Sequence, residues 1–254
     1  MMITIADAIL HALDHRLPMA PITDSDPDFD LPRAYAAQAE LTARRKARGA
    51  HVIGLKAGFT NTTIWPEYGI DAPIHGPVFD TTLGQSPLAV AAFPEAKIEP
   101  EVAFRLRATP QPGMEDAALL ACVEAVAPAF EIVQSPFPGW RAKAPDTVAA
   151  GAMHAALVLG EWQPTRPDWL GPLHNFTATL LLGDDLADRG TAANLLGSGP
   201  LAVLRHLAGL GAPMPADAIV STGTVTRALP ALPGQTWTAR FDGIALPPLT
   251  LALT

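Results

Sequence analysis

The chain of 254 residues has one cysteine, Cys122, so no disulfide can form within it and a reducing compartment is expected. Cys122 lies in the apolar run 119–126, with no base or cation beside it, and reads as a small packed hydrophobe. Positive charge is also scarce: 17 Lys and Arg stand against 25 Asp and Glu, a net charge of −8. An acidic chain without a basic face excludes nucleic acid as its partner. The cluster Arg44, Arg45, Lys46 and Arg48 reads as the solvated end of a helix, where cations suit the dipole. No apolar run reaches the roughly 18 residues of a membrane span. No basic start followed by a long apolar stretch marks a signal peptide. A cytoplasmic protein without a membrane partner is expected, and there the Asn-x-Thr triplets at Asn61 and Asn175 carry no weight.

What is plentiful is proline, at 26, and glycine, at 20, in a chain that is 49% apolar. That mixture favours turns and short strands over a helical bundle. Residues 3–16 place Ile5, Ala8, Ile9, Ala12 and Leu13 at helical spacing. After an acidic, Pro-rich loop at 18–30, Asp30 can cap a second helix with Pro32 in its first turn, running to Arg48 and stopped by Gly49. From His51 the punctuation changes. Strands are expected at 51–55, 101–106, 130–133, 153–159, 176–182, 219–221 and 236–241, with helices at 116–126 (ended by Pro128) and 200–210. Asp242-Gly243 reads as a hairpin turn into a last strand containing Pro247-Pro248, which puts that strand at an edge. The class is α+β: a helical N-terminal region, 1–50, and a strand-rich body, 51–254, forming one structural unit.

The chemistry is concentrated in carboxylates. In Glu99-Pro100-Glu101 the strand alternation turns both acids to one face, where like charges repel. A hard divalent cation would repay that cost, and a solvated strand face is the plain alternative. Pro100 cannot donate to a ladder, which points to an edge or a bulge. Glu131 lies inside the apolar segment Ala129-Phe130-Glu131-Ile132-Val133 and needs a partner, a cation or a salt bridge. Lys56, one of four lysines, stands between Leu55 and Ala57-Gly58. Apolar surroundings predict a depressed pKa suited to proton transfer; a lysine that snorkels to water is the alternative.

At these residues the chain resembles the fumarylacetoacetate hydrolase superfamily, and within it the 2-oxopent-4-enoate hydratase and 4-oxalocrotonate decarboxylase family. The resemblance spans nearly the whole chain. It is carried by Ala34-Tyr35-Ala36-Ala37-Gln38, by Leu55-Lys56-Ala57-Gly58-Phe59-Thr60, by Glu99-Pro100-Glu101, by Pro128-Ala129-Phe130-Glu131, and by Thr222-Gly223-Thr224 with Pro233-Gly234 downstream. It implies a mixed β-roll with the N-terminal helices packed beside it, and a homo-oligomer open to association with a related pathway enzyme. It implies Mg²⁺ or Mn²⁺ held by Glu99, Glu101 and Glu131, Lys56 as the catalytic proton shuttle, and Thr222, Gly223 and Thr224 lining the pocket of a small 2-oxo acid. The chain departs from the family's pattern at Ala150-Gly151, where Asp-Asn is usual, at Pro136, where Arg is usual, and at Ala202, where Asn is usual. His75 and His154 are alternative acid/base groups near neutral pH, with a structural role as the plainer reading of each. Arg227 could meet a second substrate carboxylate bidentately, or lie exposed at the surface. The implied activity is first a hydratase of a 2-hydroxydienoate, as in meta-cleavage of aromatics. Next come a 4-oxalocrotonate-type decarboxylase, a C–C bond hydrolase of a 1,3-dione acid, and a non-catalytic paralogue.

Overall fold

The computed structural model describes residues 3–65, 70 and 72–254. Helix α1, Ile5–His15, begins where the Thr4 side chain accepts from the Asp7 N–H and ends at left-handed Arg16. Helix α2, Ile22–Ser25, is one turn within the Pro-rich loop. Helix α3, Leu31–Ala47, is capped by Asp30, which accepts from Arg33 N, and is followed by Gly49 at φ +95°. It buries Ala34, Ala37 and Leu41 in an apolar cluster shared with α1 and the 148–153 segment, and buries Gln38, whose amide donates to the His75 and Val148 carbonyls.

The strands are β1 Val52–Gly58, β2 Ile74–Phe79, β3 Leu83–Gly84, β4 Lys97–Leu106, β5 Val123–Val133, β6 His154–Leu159, β7 Gln163–Pro164, β8 Thr177–Leu182, β9 Asp185–Thr191, β10 Ile219–Thr224, β11 Leu229–Pro230, β12 Thr236–Asp242 and β13 Leu249–Ala252. Among the described residues they form two sheets. The larger, a curled half-barrel, runs β2-β1-β10-β4-β5-β6-β3, with β11 also on β4 and β7 also on β5; the smaller runs β13-β12-β8-β9. The architecture is the mixed β-roll expected of the sequence, with α1 and α3 packed beside it.

Strand alternation divides β4 between two environments. Ile98, Val102, Phe104 and Leu106 enter the main core, together with the inner faces of β8 and β12 and the helix Pro200–Gly209. Glu99, Glu101 and Ala103 face the other way, into the hollow of the curled sheet, where Val78, Ala103, Ala129 and Leu157 make a small apolar floor.

Several elements differ from the sequence expectation, among them β2 and β9, which were not expected. The helix expected over 116–126 stops at Ala121, and the chain crosses into β5 at Val123. β5 is a central strand buried on both faces, which reads as one apolar run without a strand period. Pro128 does not end a helix but lies inside β5. Its carbonyl accepts from Gly160 N, so its missing N–H falls on the same side, where the neighbour of β5 changes from β6 to β7. Pro100 likewise lies in a central strand, not at an edge; of the two expectations the bulge holds, since β10 carries an extra residue opposite 101–103 and the neighbour of β4 then changes from β10 to β11. The last strand starts after Pro247-Pro248 and does not contain them; it is at an edge of the smaller sheet, as expected.

Candidate metal centre and cavity

Glu99 and Glu131 are directly opposed across the antiparallel pair of β4 and β5, and Glu101 lies two residues along on the same face. Each offers an oxygen, and these atoms all lie within 4.8 Å of one another. Glu101 and Glu131 are fully buried and Glu99 is half-buried. β1 runs parallel to β10 and pairs Lys56 with Ser221, which brings the ammonium to the same face. Lys56 Nζ lies 3.1 Å from Glu131 Oε2 as an ion pair, and donates its hydrogen bond to the Ala152 carbonyl at 3.0 Å. That carbonyl belongs to a backbone turned sharply on itself: Ala152 and Met153 have φ of 54° and 61°, a left-handed region that side chains rarely adopt.

Glu101 is held from β10. Ser221 Oγ and Gly223 N (3.0 Å) both donate to its Oε2. The register explains how two neighbours reach one oxygen: Ser221 pairs Ala103 and Thr224 pairs Glu101, so β10 carries one extra residue, a bulge at Thr222-Gly223. Gly223 has φ +86°, and a Cβ there would fall 1.9 Å from Thr60 Oγ1, so glycine alone fits the bulge.

Burial pushes the Glu99 carboxyl up to about 7, against the pull of Lys56 and with the charge of Glu131 adding to the rise. Burial, then Glu131 and Glu99, hold Glu101 well above the usual carboxylate range. For Glu131 burial works in the same direction, but Lys56 and the hydrogen bond from His154 outweigh it and hold the carboxyl low. Burial alone would depress Lys56, as the sequence predicts; the charges of Glu131, Glu99 and Glu101 overcome it and raise the group instead. The correction comes from neighbours distant in sequence.

The site therefore holds three carboxylates against one lysine; of its buried oxygens Glu101 Oε1 has no partner and Glu131 Oε2 has the Lys56 ammonium alone. An orphaned acceptor in an oxygen-only donor set with excess negative charge fits a hard divalent cation of the Mg²⁺ or Mn²⁺ type.

A cavity of about 300 Å³ opens onto this cluster. Lys56, Glu99, Gly223 and Thr224 border it on the polar side, and Phe59, Ile74, Val133, Trp140 and Met153 supply apolar wall. Among the residues expected to contact substrate, His75 and Thr222 do not reach it. His75 pairs Ala57 in β2 and so lies on the opposite face from Lys56, its ring 4.9 Å from that of Tyr35. Thr222 is fully buried and donates to the Val102 carbonyl. Arg227 borders the cavity, but Asp188 engages it through both backbone N (2.9 Å) and Nε (3.1 Å). Ser221 and Trp140 were not anticipated. A serine within the apolar strand segment Ile219-Val220-Ser221 was a usable signal; a tryptophan after Pro138-Gly139 was not.

No protein-family model matches the chain. Its sequence is 31% identical over 249 residues to a 2-keto-4-pentenoate hydratase of Paraburkholderia xenovorans, covering 94% of this chain and 90% of that protein. It is 28% identical over 229 residues to a 4-oxalocrotonate decarboxylase of a Pseudomonas species, covering 88% and 86%. Its fold superposes with a TM-score of 0.90 on 4-oxalocrotonate decarboxylase from Pseudomonas putida G7, complexed with magnesium and adipate, at 24% identity over 98% of this chain and 96% of that one.

Proposed function

The chain belongs to the 2-keto-4-pentenoate hydratase and 4-oxalocrotonate decarboxylase family of the fumarylacetoacetate hydrolase superfamily, and on that premise we propose that it is a divalent-metal-dependent hydratase of a small 2-hydroxydienoate. The observation that carries the metal is the buried, unpaired Glu101 Oε1 beside Glu99 and Glu131. These three carboxylates would hold Mg²⁺ or Mn²⁺. When bound, the cation supplies Lewis-acid polarisation of the 2-oxo group and offsets the negative charge that grows on it.

The remaining chemistry falls to the protein's own groups. Lys56, which borders the cavity beside Glu131, is the group placed to move protons at the substrate carbon chain. Ser221 and Gly223 N donate to Glu101 Oε2 and hold that carboxylate in place. The walls of Phe59, Ile74, Trp140 and Met153 exclude water around the hydrocarbon part.

Decarboxylation is the second reading, because the same carboxylates would serve it. The engagement of Arg227 by Asp188 favours the hydratase, since a second substrate carboxylate would have to compete for that guanidinium. Within this reading the protein is a cytoplasmic homo-oligomer, the latter tested by sedimentation; no helix among the described residues is long and apolar enough to cross a membrane. The deciding experiment is an ultraviolet assay on 2-hydroxypenta-2,4-dienoate and on 4-oxalocrotonate, with Mn²⁺ and with chelator, trapping CO₂. Metal-dependent loss of the dienoate without CO₂ supports the hydratase. CO₂ from oxalocrotonate supports the decarboxylase, and no turnover of either would refute both.

A further inference from the structure

His154 opens β6 at a point where the register against β5 shifts: Ile132 pairs Ala156, but Val133 pairs His154. The extra residue places His154 opposite Val133, on the face that carries Glu131. Its ring is 5% exposed and lies outside the cavity lining. Nδ1 is 2.8 Å from Glu131 Oε1 and Nε2 is 2.8 Å from Thr82 Oγ1. A carboxylate only accepts, so Nδ1 carries a proton and donates it to Glu131. Thr82 is itself pinned: its hydroxyl accepts from Phe79 N at 3.1 Å and lies 2.9 Å from Phe79 O. The ring is thus held at both nitrogens and has no route to a substrate, which removes it as an acid/base group.

From this geometry we propose that His154 is a positioning residue. It commits Oε1 of Glu131 to a hydrogen bond and leaves Oε2 alone to face the cluster. The inference rests on the reading of Glu131 as a metal ligand. A ligating carboxylate freed from such a partner loses its fixed orientation, and outer-sphere losses of this kind weaken metal binding by roughly 10–100-fold.

The test is Mn²⁺ affinity, measured by titration calorimetry or by electron paramagnetic resonance of free Mn²⁺, on wild type, His154→Phe, His154→Asn and Thr82→Val, with circular dichroism as the check on folding. His154→Phe keeps bulk and loses the donor, and weakens Mn²⁺ about tenfold or more. His154→Asn places an amide N–H near the position of Nδ1 and recovers most of that loss. Thr82→Val releases the far end of the ring and weakens binding several-fold. Should His154→Phe fail to fold, Thr82→Val and His154→Asn carry the comparison. Wild type that binds Mn²⁺ while Thr82→Val and His154→Phe bind within twofold of it would overturn the positioning role alone. So would a folded His154→Asn no better than a folded His154→Phe. A wild type that binds no Mn²⁺ would overturn the ligand reading and this inference together.

Discussion

Glu99 and Glu131 face each other directly across β4 and β5, two acidic side chains in the pairing where like charges destabilise a sheet. In the protein without metal, burial first and this repulsion second favour protonation: the Glu99 carboxyl is pushed up to about 7 and Glu101 well above the usual range.

Stability of the metal-free protein should therefore fall as pH rises from about 4.5 to about 7. In that window the unfolded chain has released the Glu99 proton while the native state still holds it, so higher pH favours unfolding, by about 3 kcal/mol for Glu99 if its whole shift is expressed, with Glu101 acting in the same sense. Glu131, held low, works in the opposite sense, and its contribution is lost only as pH falls below the usual carboxylate range. Mn²⁺ should cancel the neutral-pH loss, because binding to the native state alone stabilises it. Thermal melts from pH 5 to 8 in EDTA and in Mn²⁺ check this; a melting curve in EDTA that rises with pH contradicts it.

Glu99→Gln separates the two roles of that carboxylate. It removes the repulsion with Glu131, so the metal-free variant should be more stable than wild type at pH 8, by about 1–2 kcal/mol. It also removes an anionic ligand, so Mn²⁺ affinity should drop by a hundredfold or more, a loss of about 3 kcal/mol in binding. Calorimetric titration and chemical unfolding on one preparation give both numbers. A variant less stable than wild type at pH 8 would mean that Glu99 is chiefly a partner of Lys56.

Lys56→Met should abolish turnover, by at least about 10²-fold, while binding Mn²⁺ no more weakly than wild type. The ammonium lies 3.1 Å from Glu131 Oε2, the oxygen that faces the cluster, and competes there with any cation. Removing it lifts that competition. Weaker Mn²⁺ binding in the variant would show that Lys56 shapes the cluster and does not oppose the ion.

The parts of this site that local chemistry determines were readable in the sequence. Asp30 with Pro32 caps α3, and the Glu99-Pro100-Glu101 spacing puts two acids on one face. Glu131 announces itself as a charge inside an apolar strand. What the sequence hid depends on distant neighbours. The pKa of Lys56 has the opposite sign from the prediction because three carboxylates meet it in space while apolar residues flank it in the chain. His75 misses the cavity because β2 pairs it with Ala57, which turns it to the far face. Arg227 looks free until the fold delivers Asp188. The extent of β5 was hidden for another reason: a strand buried on both faces has no period to distinguish it from a buried helix.

Gly223→Ala tests whether the bulge in β10 is what holds Glu101. The methyl group would meet Thr60 Oγ1 at 1.9 Å, and the backbone would carry a φ of +86° that alanine adopts at a cost of about 1–2 kcal/mol. Relief by straightening the bulge would carry Gly223 N away from Glu101 Oε2 and leave Ser221 as the remaining donor to that oxygen. The expected result is a protein destabilised by roughly 2–4 kcal/mol whose Mn²⁺ affinity also falls, since a buried carboxylate stripped of one donor moves or takes up a proton. Thr60→Ala added to Gly223→Ala removes the clash but not the φ strain, so it should return part of the stability and part of the Mn²⁺ affinity. If stability returns and affinity does not, the Gly223 N–H bond to Glu101, and not general packing, is what the metal site requires; if affinity never fell, the bulge serves the fold alone.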